Sequence, residues 1–285
     1  MLLYVKHYAQ MCNRLWAFVP ALAYALHRQQ RMYVFFAGRK YVDAFPHLKR
    51  CGMLRFMLSN DSAEPTFLAW RFIIFSEKFN LEIKDDLRNL KEVRLLSFVD
   101  GWQHRNDVSF IVEQKKKIVK LLRPAEEIVS KVGKYFENYD GMTVGVHIRR
   151  GDYKSYLGGK YYFSDECYLR IIDQIRALYD GRKIRFLLCS NEKFNIPEGA
   201  QDMFMIEKSD GITDLYALSK CDLIIGPPSS YSQWASFYGD VPLCLILRDK
   251  MNIKIDSFSK VVALDLFENG KCIRLDEQKQ EYFIE

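Results

Sequence analysis

The sequence has few histidines, no closely spaced cysteine pair and no long apolar run, and each absence excludes a class of protein. Its seven cysteines contain no CxxC pair, which predicts free thiols in a reducing compartment rather than a disulfide framework or a zinc site. The five histidines form no HExxH motif, so we expect no metal ion. The longest apolar stretch, residues 15–26, contains Pro20 and is shorter than the roughly 20 residues of a membrane-spanning helix.

The N-terminus also lacks the order of charge, apolar core and small-residue cleavage site that marks a signal peptide. We therefore expect a cytoplasmic protein without a transmembrane segment, and peripheral contact with a membrane stays open. The net charge of +6 suits an anionic ligand such as a nucleotide, but it is too weak to predict nucleic-acid binding.

Length and composition predict a folded chain of about two domains, at about 150 residues per domain. Of the 285 residues 49% are apolar, enough for a sizeable core, and a charged fraction of 27% is ordinary, which excludes general disorder. We place the boundary between residues 140 and 141, giving domains 1–140 and 141–285.

The first domain begins with one strand-helix-strand pattern: apolar runs at residues 2–5 and 32–36 flank a helical pattern at 15–28. Residues 40–110 give no clear pattern, and residues 111–137 indicate two helices separated at Pro124.

The second domain alternates apolar strands with helices, which predicts a parallel sheet covered on both faces. Strands are predicted at 142–148, 184–189, 222–226 and 241–247, with helices at 164–179, 212–220 and 229–238, the first capped by Ser164. Ligands of such sheets bind beyond the carboxyl ends of the strands. The candidate loops are therefore 149–160, 190–193, 207–214 and 226–230.

The strongest local feature is HIRRGDY at residues 147–153, directly after a predicted strand. Arginine presents a rigid fork of donors that matches phosphate oxygens. Adjacent arginines on an extended backbone point to opposite sides, so we expect one to bind phosphate and the other to hold the loop. A basic surface loop is the alternative.

A second feature is GPPSSYSQW at residues 226–234, where a strand ends and serines open a helix. The N–H groups and the dipole of a helix N-terminus favour phosphate, although Ser229 or Ser230 could equally serve as a plain N-cap. Tyr231 and Trp234 are predicted to pack rather than to bind a ligand.

The third feature is Asp214, whose carboxylate could accept hydrogen bonds from N1–H and N2–H₂ of a guanine. The alternative is an ordinary N-cap or an acidic residue in the first turn of a helix.

Together these stretches resemble the GDP-fucose-dependent fucosyltransferases with an HxRRxD-type motif, chiefly the bacterial α-1,2 enzymes, which are related to the α-1,6 enzymes. The similarity covers roughly residues 98–247, in the stretches 98–110, 144–153, 161–172, 186–194 and 213–239.

The resemblance implies the GT-B architecture, an α/β fold of two Rossmann-like domains facing a cleft. The acceptor side would lie in the N-terminal domain and the donor site in the C-terminal one, without a metal or other cofactor. The partners would be a nucleotide sugar and a glycan acceptor, such as a lipid-linked, lipopolysaccharide or capsule oligosaccharide.

The resemblance also implies a role for each matching position. Arg149 would hold the β-phosphate and stabilise the leaving GDP, and Arg150 would support the loop or share that role. The remaining donor contacts would be His147 with the nucleotide, Asp214 with guanine, Ser229 and Ser230 with the diphosphate, and Ser190 or Asn191 lining the nucleotide pocket.

The chain departs from the α-1,2 pattern in its N-terminal loop, which lacks the glycine-rich opening, and at Pro227-Pro228 and Gln233. These differences leave the linkage open. Candidates on the acceptor side are His7, Asn13 and Arg14.

The expected reaction is inverting, metal-independent transfer of fucose from GDP-fucose to a glycan hydroxyl. A general base would be Asp152, His7 or Asp43, unless Asp152 braces an arginine. The alternatives are a GT-B transferase with another nucleotide-sugar or pyruvyl donor, and an inactive carbohydrate- or nucleotide-binding module.

Overall fold

The computed structural model describes residues 2–4, 10–35, 39–57, 67–81, 97–99, 102 and 108–285, and His7 lies outside these ranges. The chain divides into two compact units, Met1–Glu126 and Glu127–Glu285. The division falls at the start of the helix that precedes the boundary placed at 140 from sequence.

The first unit is built on a parallel sheet. Its described elements are β1 (Leu2–Tyr4), α1 (Met11–His27), β2 (Met32–Val34), α2 (Arg39–Ala44), α3 (Pro46–Arg50), β3 (Leu54–Phe56), α4 (Phe67–Lys78), β4 (Ser97–Val99) and α5 (Val108–Leu121). The strands lie in the order β3-β2-β1-β4, and every pair is parallel. The predicted strand-helix-strand unit is present, although α1 begins at Met11 rather than Leu15 and continues through Pro20.

The second unit contains a five-stranded parallel sheet in the order β7-β6-β5-β8-β9. Its elements are α6 (Glu126–Phe136), β5 (Met142–Ile148), α7 (Asp165–Leu178), β6 (Ile184–Ser190), β7 (Met203–Phe204), α8 (Gly211–Leu218), β8 (Leu223–Gly226), α9 (Ser230–Gly239), β9 (Leu243–Leu245), β10 (Val261–Ala263), β11 (Leu266–Phe267), β12 (Ile273–Asp276) and β13 (Glu281–Ile284). The expected α/β class with parallel sheets is confirmed.

Strand β5 lies at the centre of this sheet, and its alternating side chains define the two faces. Val144, Val146 and Ile148 are fully buried in the core that α7 covers. Gly145 faces the opposite side, where an added Cβ would lie 2.6 Å from a methyl group of Leu218 in α8. Because the two faces alternate, consecutive residues after β5 diverge.

Helix α7 begins where the sequence predicted. The hydroxyl of Ser164 accepts a hydrogen bond from the backbone N–H of Cys167, and Asp165 and Glu166 occupy the first turn. Ile171 and Ile175 are fully buried because the apolar positions repeat at helical spacing. The cap and the first-turn carboxylates both offset the unpaired N–H groups of the helix start.

Two antiparallel pairs, β10–β11 and β12–β13, follow the parallel sheet. Among the helices in the described ranges, none combines the length and apolarity that crossing a bilayer requires.

Candidate functional site

The candidate site lies at the carboxyl edge of the second sheet. Strands β6, β5 and β8 are neighbours and parallel, so their last residues end on the same edge. The register pairs Ile148 with Ser190 and Val146 with Ile225, which brings three of the predicted loops together. These loops are 149–160, 190–193 and 226–230.

Arg149 leaves β5 and forms an ion pair with Asp152, with Nη2 2.8 Å from Oδ1. Its guanidinium also lies 5.6 Å from the ring centroid of Tyr153, and only 18% of its side chain is exposed. The hydroxyl of Tyr153 in turn donates to the backbone carbonyl of Pro228. Tyr153 therefore joins the arginine loop to the turn that precedes α9.

Arg150 turns to the opposite side and is buried. Its guanidinium pairs with Asp165 at the start of α7 and donates to the carbonyl oxygens of Lys193, at 3.2 Å, and Phe163, at 3.4 Å. The guanidinium of Arg150 is therefore used within the protein, where it holds the loop after β5 against the start of α7. The two arginines thus diverge as strand alternation predicts.

The loop after β6 holds the backbone of the arginine loop. Asn191 accepts from the N–H of Arg150 at 2.7 Å and donates to its carbonyl oxygen at 3.2 Å, while Glu192 accepts from the N–H of Gly151 at 3.0 Å. Gly151 has φ of +63°, and an added Cβ would lie 2.9 Å from the amide nitrogen of Asn191. Glycine is required here by both the backbone conformation and the close approach.

Helix α9 begins with the predicted serine cap. The hydroxyl of Ser229 accepts from the N–H of Tyr231 at 3.2 Å, and Ser230 is the first residue of the helix. The helix is anchored further on by Gln233, whose amide bonds both the carboxylate and the N–H of Asp265, at 3.0 and 2.7 Å. Trp234 is buried, so its predicted packing role is confirmed.

Tyr231 joins α9 to its neighbours. Its ring stacks on His147 with 4.8 Å between the centroids, and its hydroxyl donates to the carbonyl oxygen of Gly211 at 2.7 Å. His147 is 4% exposed, and its Nδ1 has no hydrogen-bond partner among the described residues. Burial and the charge of Arg149 lower the pKa of His147 to about 3, so the imidazole is neutral at physiological pH.

Asp214 lies in the first turn of α8, but the N-cap of that helix is Asp210, which accepts from the N–H of Thr213 at 2.8 Å. Burial raises the pKa of the Asp214 carboxyl to about 6, although a hydrogen bond from Ser209 and the charge of Lys131 oppose the rise. An ordinary first-turn carboxylate is solvated and acidic. A first-turn carboxylate whose pKa is raised by burial, as here, is typical of a functional position.

The other predicted residues have simpler surroundings. The hydroxyl of Ser190 accepts from the N–H of Glu192 at 3.3 Å. Asn13 and Arg14 lie in the first turn of α1, in the first unit, and Asp43 pairs with Lys49.

Tyr153 and Glu192 have roles in the site that the sequence patterns do not predict. Tyr153 follows Asp152 directly and could have been found as the last residue of the HIRRGDY motif. Glu192 carries no local signal, because its partner Gly151 is 41 residues away. No group of three or more His, Cys, Asp or Glu side chains in the described part of the chain is arranged to hold a metal ion.

Comparison with known proteins relates this site to glycosyl transfer. Residues 121–246 match the sequence model of Glycosyl transferase family 11, a segment that contains every residue discussed above from Arg149 to Ser230. The match confirms the expected resemblance and supports a glycosyltransferase. No relative was found among curated protein sequences.

Solved structures share the fold over most of the chain. Fucosyltransferase NodZ from Bradyrhizobium is 17% identical, with a TM-score of 0.53 over 86% of this chain and 95% of NodZ. A mutant of FUT1 from Arabidopsis thaliana in complex with GDP is 12% identical, with a TM-score of 0.52 over 91% of this chain and 73% of its own. POFUT1 in complex with GDP is 13% identical, with a TM-score of 0.52 over 84% and 94%.

Proposed function

We propose that this chain transfers fucose from GDP-fucose to a hydroxyl group of a glycan, with inversion and without a metal ion. The family match over residues 121–246 supports glycosyl transfer. The similar structures solved with GDP favour a guanosine diphosphate donor among the possible nucleotide sugars.

One observation carries the proposal: Tyr153 contacts Arg149 through its ring and Pro228 through its hydroxyl. The guanidinium and the start of α9, led by Ser229, are therefore held at the same edge of the sheet. Both favour anions, the first by its fork of donors and the second by its N–H groups and dipole. A diphosphate is the ligand that uses both.

The same charges explain how the reaction proceeds. When the bond between the sugar and the β-phosphate breaks, the sugar gains positive character and the leaving GDP gains negative charge. Arg149 and the N-terminus of α9 stabilise the charge on GDP. A preorganised donor of this kind lowers a barrier by about 3 kcal/mol.

Asp214 is the proposed guanine contact. Its ionised carboxylate accepts from N1–H and N2–H₂ of the base, a pattern that adenine and the pyrimidines do not offer. Burial makes these hydrogen bonds stronger than they would be in water. In this role His147 and Tyr231 form the floor of the nucleotide site, and Ser190 and Ser230 its sides.

Inversion is supported by the engagement of the nearby carboxylates. Asp152 pairs with Arg149, Asp165 pairs with Arg150, and Glu192 binds the N–H of Gly151. A retaining reaction by two displacements needs a carboxylate nucleophile at the sugar. With these three held in place, direct attack by the acceptor hydroxyl is the simpler route. The new bond to the sugar forms as the bond to GDP breaks, and the hydroxyl proton passes to a general base, for which His7 and Asp43 are the candidates. Asp152 acts by bracing Arg149.

The acceptor is proposed to be a glycan, with His7, Asn13 and Arg14 as candidates for its recognition. We also propose a reducing, cytoplasmic compartment, which suits the seven cysteines present as free thiols.

Calorimetry of GDP binding in EDTA, followed by turnover of GDP-fucose, tests the proposal. We expect GDP to bind without a divalent ion, and Arg149→Ala to lower the rate of fucosyl release by about 100-fold. The control is Arg182→Ala, which removes an arginine that stacks on Tyr179 at the opposite edge of the sheet.

Two results would contradict the proposal. If millimolar GDP does not bind the wild-type chain, the donor is not a guanine nucleotide. If Arg149→Ala retains full turnover while Arg182→Ala does the same, Arg149 does not stabilise the leaving group.

A further inference from the structure

The second unit contains a cavity of about 910 Å³ outside the residues assigned to the donor. It is lined by residues 160–164 before α7, by residues 247–249, 251 and 252 after β9, and by residues 281–284 of β13. Two of these segments follow the carboxyl ends of β5 and β9, so the cavity opens at the same edge of the sheet as the donor site. That edge is where ligands of parallel sheets bind.

The cavity offers aromatic faces to a ligand. Tyr282 is partly buried in its wall, and Phe283, the next residue of β13, also lines it and is 44% exposed. Tyr282 is held at two points: its N–H donates to the hydroxyl of Tyr161 at 2.6 Å, and its hydroxyl lies 2.7 Å from that of Tyr156. Rigid aromatic faces beside polar groups are suited to sugars, whose C–H faces pack on a ring while their hydroxyls form hydrogen bonds.

One of the cationic side chains that line the cavity, Arg248, forms no ion pair within the described part of the chain. Lys160 and Asp249 line it but are occupied, Lys160 by Glu281 at 2.7 Å and Asp249 by Arg170 at 2.7 Å. Arg248 is exposed, and its guanidinium has no hydrogen bond or ion pair with any residue in the described ranges. An unpaired guanidinium in a cavity matches an anionic oxygen group, either a carboxylate or a phosphate.

A chain of tyrosine contacts connects the cavity to the donor site. Tyr153, which lies against Arg149, has its ring 5.2 Å from that of Tyr156. The hydroxyl of Tyr156 is 2.7 Å from the hydroxyl of Tyr282 in the cavity wall. The rings of Tyr153 and Tyr156 therefore lie between Arg149, which binds the proposed leaving group, and the cavity. An oligosaccharide can extend across two such rings.

We infer that this cavity binds an acidic sugar of the acceptor glycan, at a position removed from the hydroxyl that is fucosylated. The acidic group pairs with Arg248, and the ring of the sugar packs on Tyr282. The inference rests on the proposed function for its biological meaning, but binding to the cavity is measurable without transfer.

Saturation-transfer NMR on the full chain tests this with three sugars of equal ring size: glucuronate, glucose 6-phosphate and glucose. We expect an acidic sugar to bind at least about fivefold more tightly than glucose, and the two acidic probes distinguish carboxylate from phosphate. Arg248→Gln removes the preference. The control Lys250→Gln keeps it, because Lys250 is an exposed cation of the same loop that does not line the cavity.

A parallel titration separates this inference from the proposed donor site. Saturating GDP should leave the binding of the acidic sugar unchanged, and Arg248→Gln should bind GDP as the wild type does. The inference is overturned if none of the sugars binds, if glucose binds as well as the acidic sugars, if Arg248→Gln behaves like Lys250→Gln, or if GDP displaces the sugar. Failure of GDP to bind would contradict the proposed function alone.

Discussion

Replacing Asp214 by asparagine should make the protein more stable and, at the same time, a poorer binder of GDP. Burial raises the pKa of this carboxyl from 3.8 to about 6, so ionising it in the folded chain is unfavourable. A shift of about two units at 1.36 kcal/mol each corresponds to about 3 kcal/mol of lost stability. Asparagine has the same shape and no charge, so Asp214→Asn should recover most of this free energy at pH 8.

The pH dependence follows from the direction of the shift. An acid whose pKa is raised on folding is protonated more readily in the folded than in the unfolded chain. Its penalty is absent below about pH 4 and grows as the pH rises to about 6. The gain from Asp214→Asn should therefore be complete at pH 8 and about half as large at pH 5.

Thermal unfolding at these two pH values is the assay. At about 2 °C per kcal/mol for a unit of this size, the Tm should rise by about 6 °C at pH 8 and by about 3 °C at pH 5. The control Asp256→Asn removes an exposed carboxylate and should change stability by less than about 0.5 kcal/mol at either pH.

GDP binding completes the test. An amide nitrogen in place of a carboxylate oxygen opposes the donors of guanine, so affinity should fall by tenfold or more. A lower Tm for Asp214→Asn at pH 8 would refute the reasoning, since the charge would then stabilise the fold. A higher Tm with unchanged GDP affinity would remove Asp214 from the nucleotide site.

Three further results are expected. Arg150→Met should lower the free energy of unfolding by about 3 kcal/mol, measured by denaturant titration, because it removes a buried guanidinium that pairs with Asp165 and donates to two backbone carbonyl oxygens; an unchanged value would mean that these contacts are not structural. Gly151→Ala should destabilise more than Gly199→Ala, since both have positive φ but only the first meets a neighbour within 3 Å, and equal effects would contradict the close contact. His147 should show no titration between pH 5 and 8 by NMR, because its pKa is lowered to about 3, and a midpoint in that range would show that the imidazole is hydrated.

The sequence predicts those features of the second unit that depend on residues close to one another along the chain. Ser164 and Ser229 cap helices because a serine precedes an apolar helical pattern in each case. The divergence of Arg149 and Arg150 follows from strand alternation alone. Strand β9, predicted at 241–247, is shorter in the structure, Leu243–Leu245, because its pairing with β8 sets its length rather than its composition.

Contacts between distant residues are not visible in the sequence. Gln233 and Asp265 are 32 residues apart, and neither sits in a pattern that indicates the other. The apolar run at residues 67–78 gives no clear prediction because it fits a buried strand as well as a helix, and the structure has the helix α4 there. His7 lies outside the described residues, so its acceptor-side role stays a prediction.

The pairing of Gln233 with Asp265 limits how the chain can be truncated. The segment that matches the family ends at residue 246, yet Gln233 in α9 is held by Asp265, which lies beyond that limit. A truncation designed at the recognisable limit would remove the clamp and the hairpin that supports Tyr156 through Tyr282. In this chain, residues beyond the segment shared with the family hold residues within it in place.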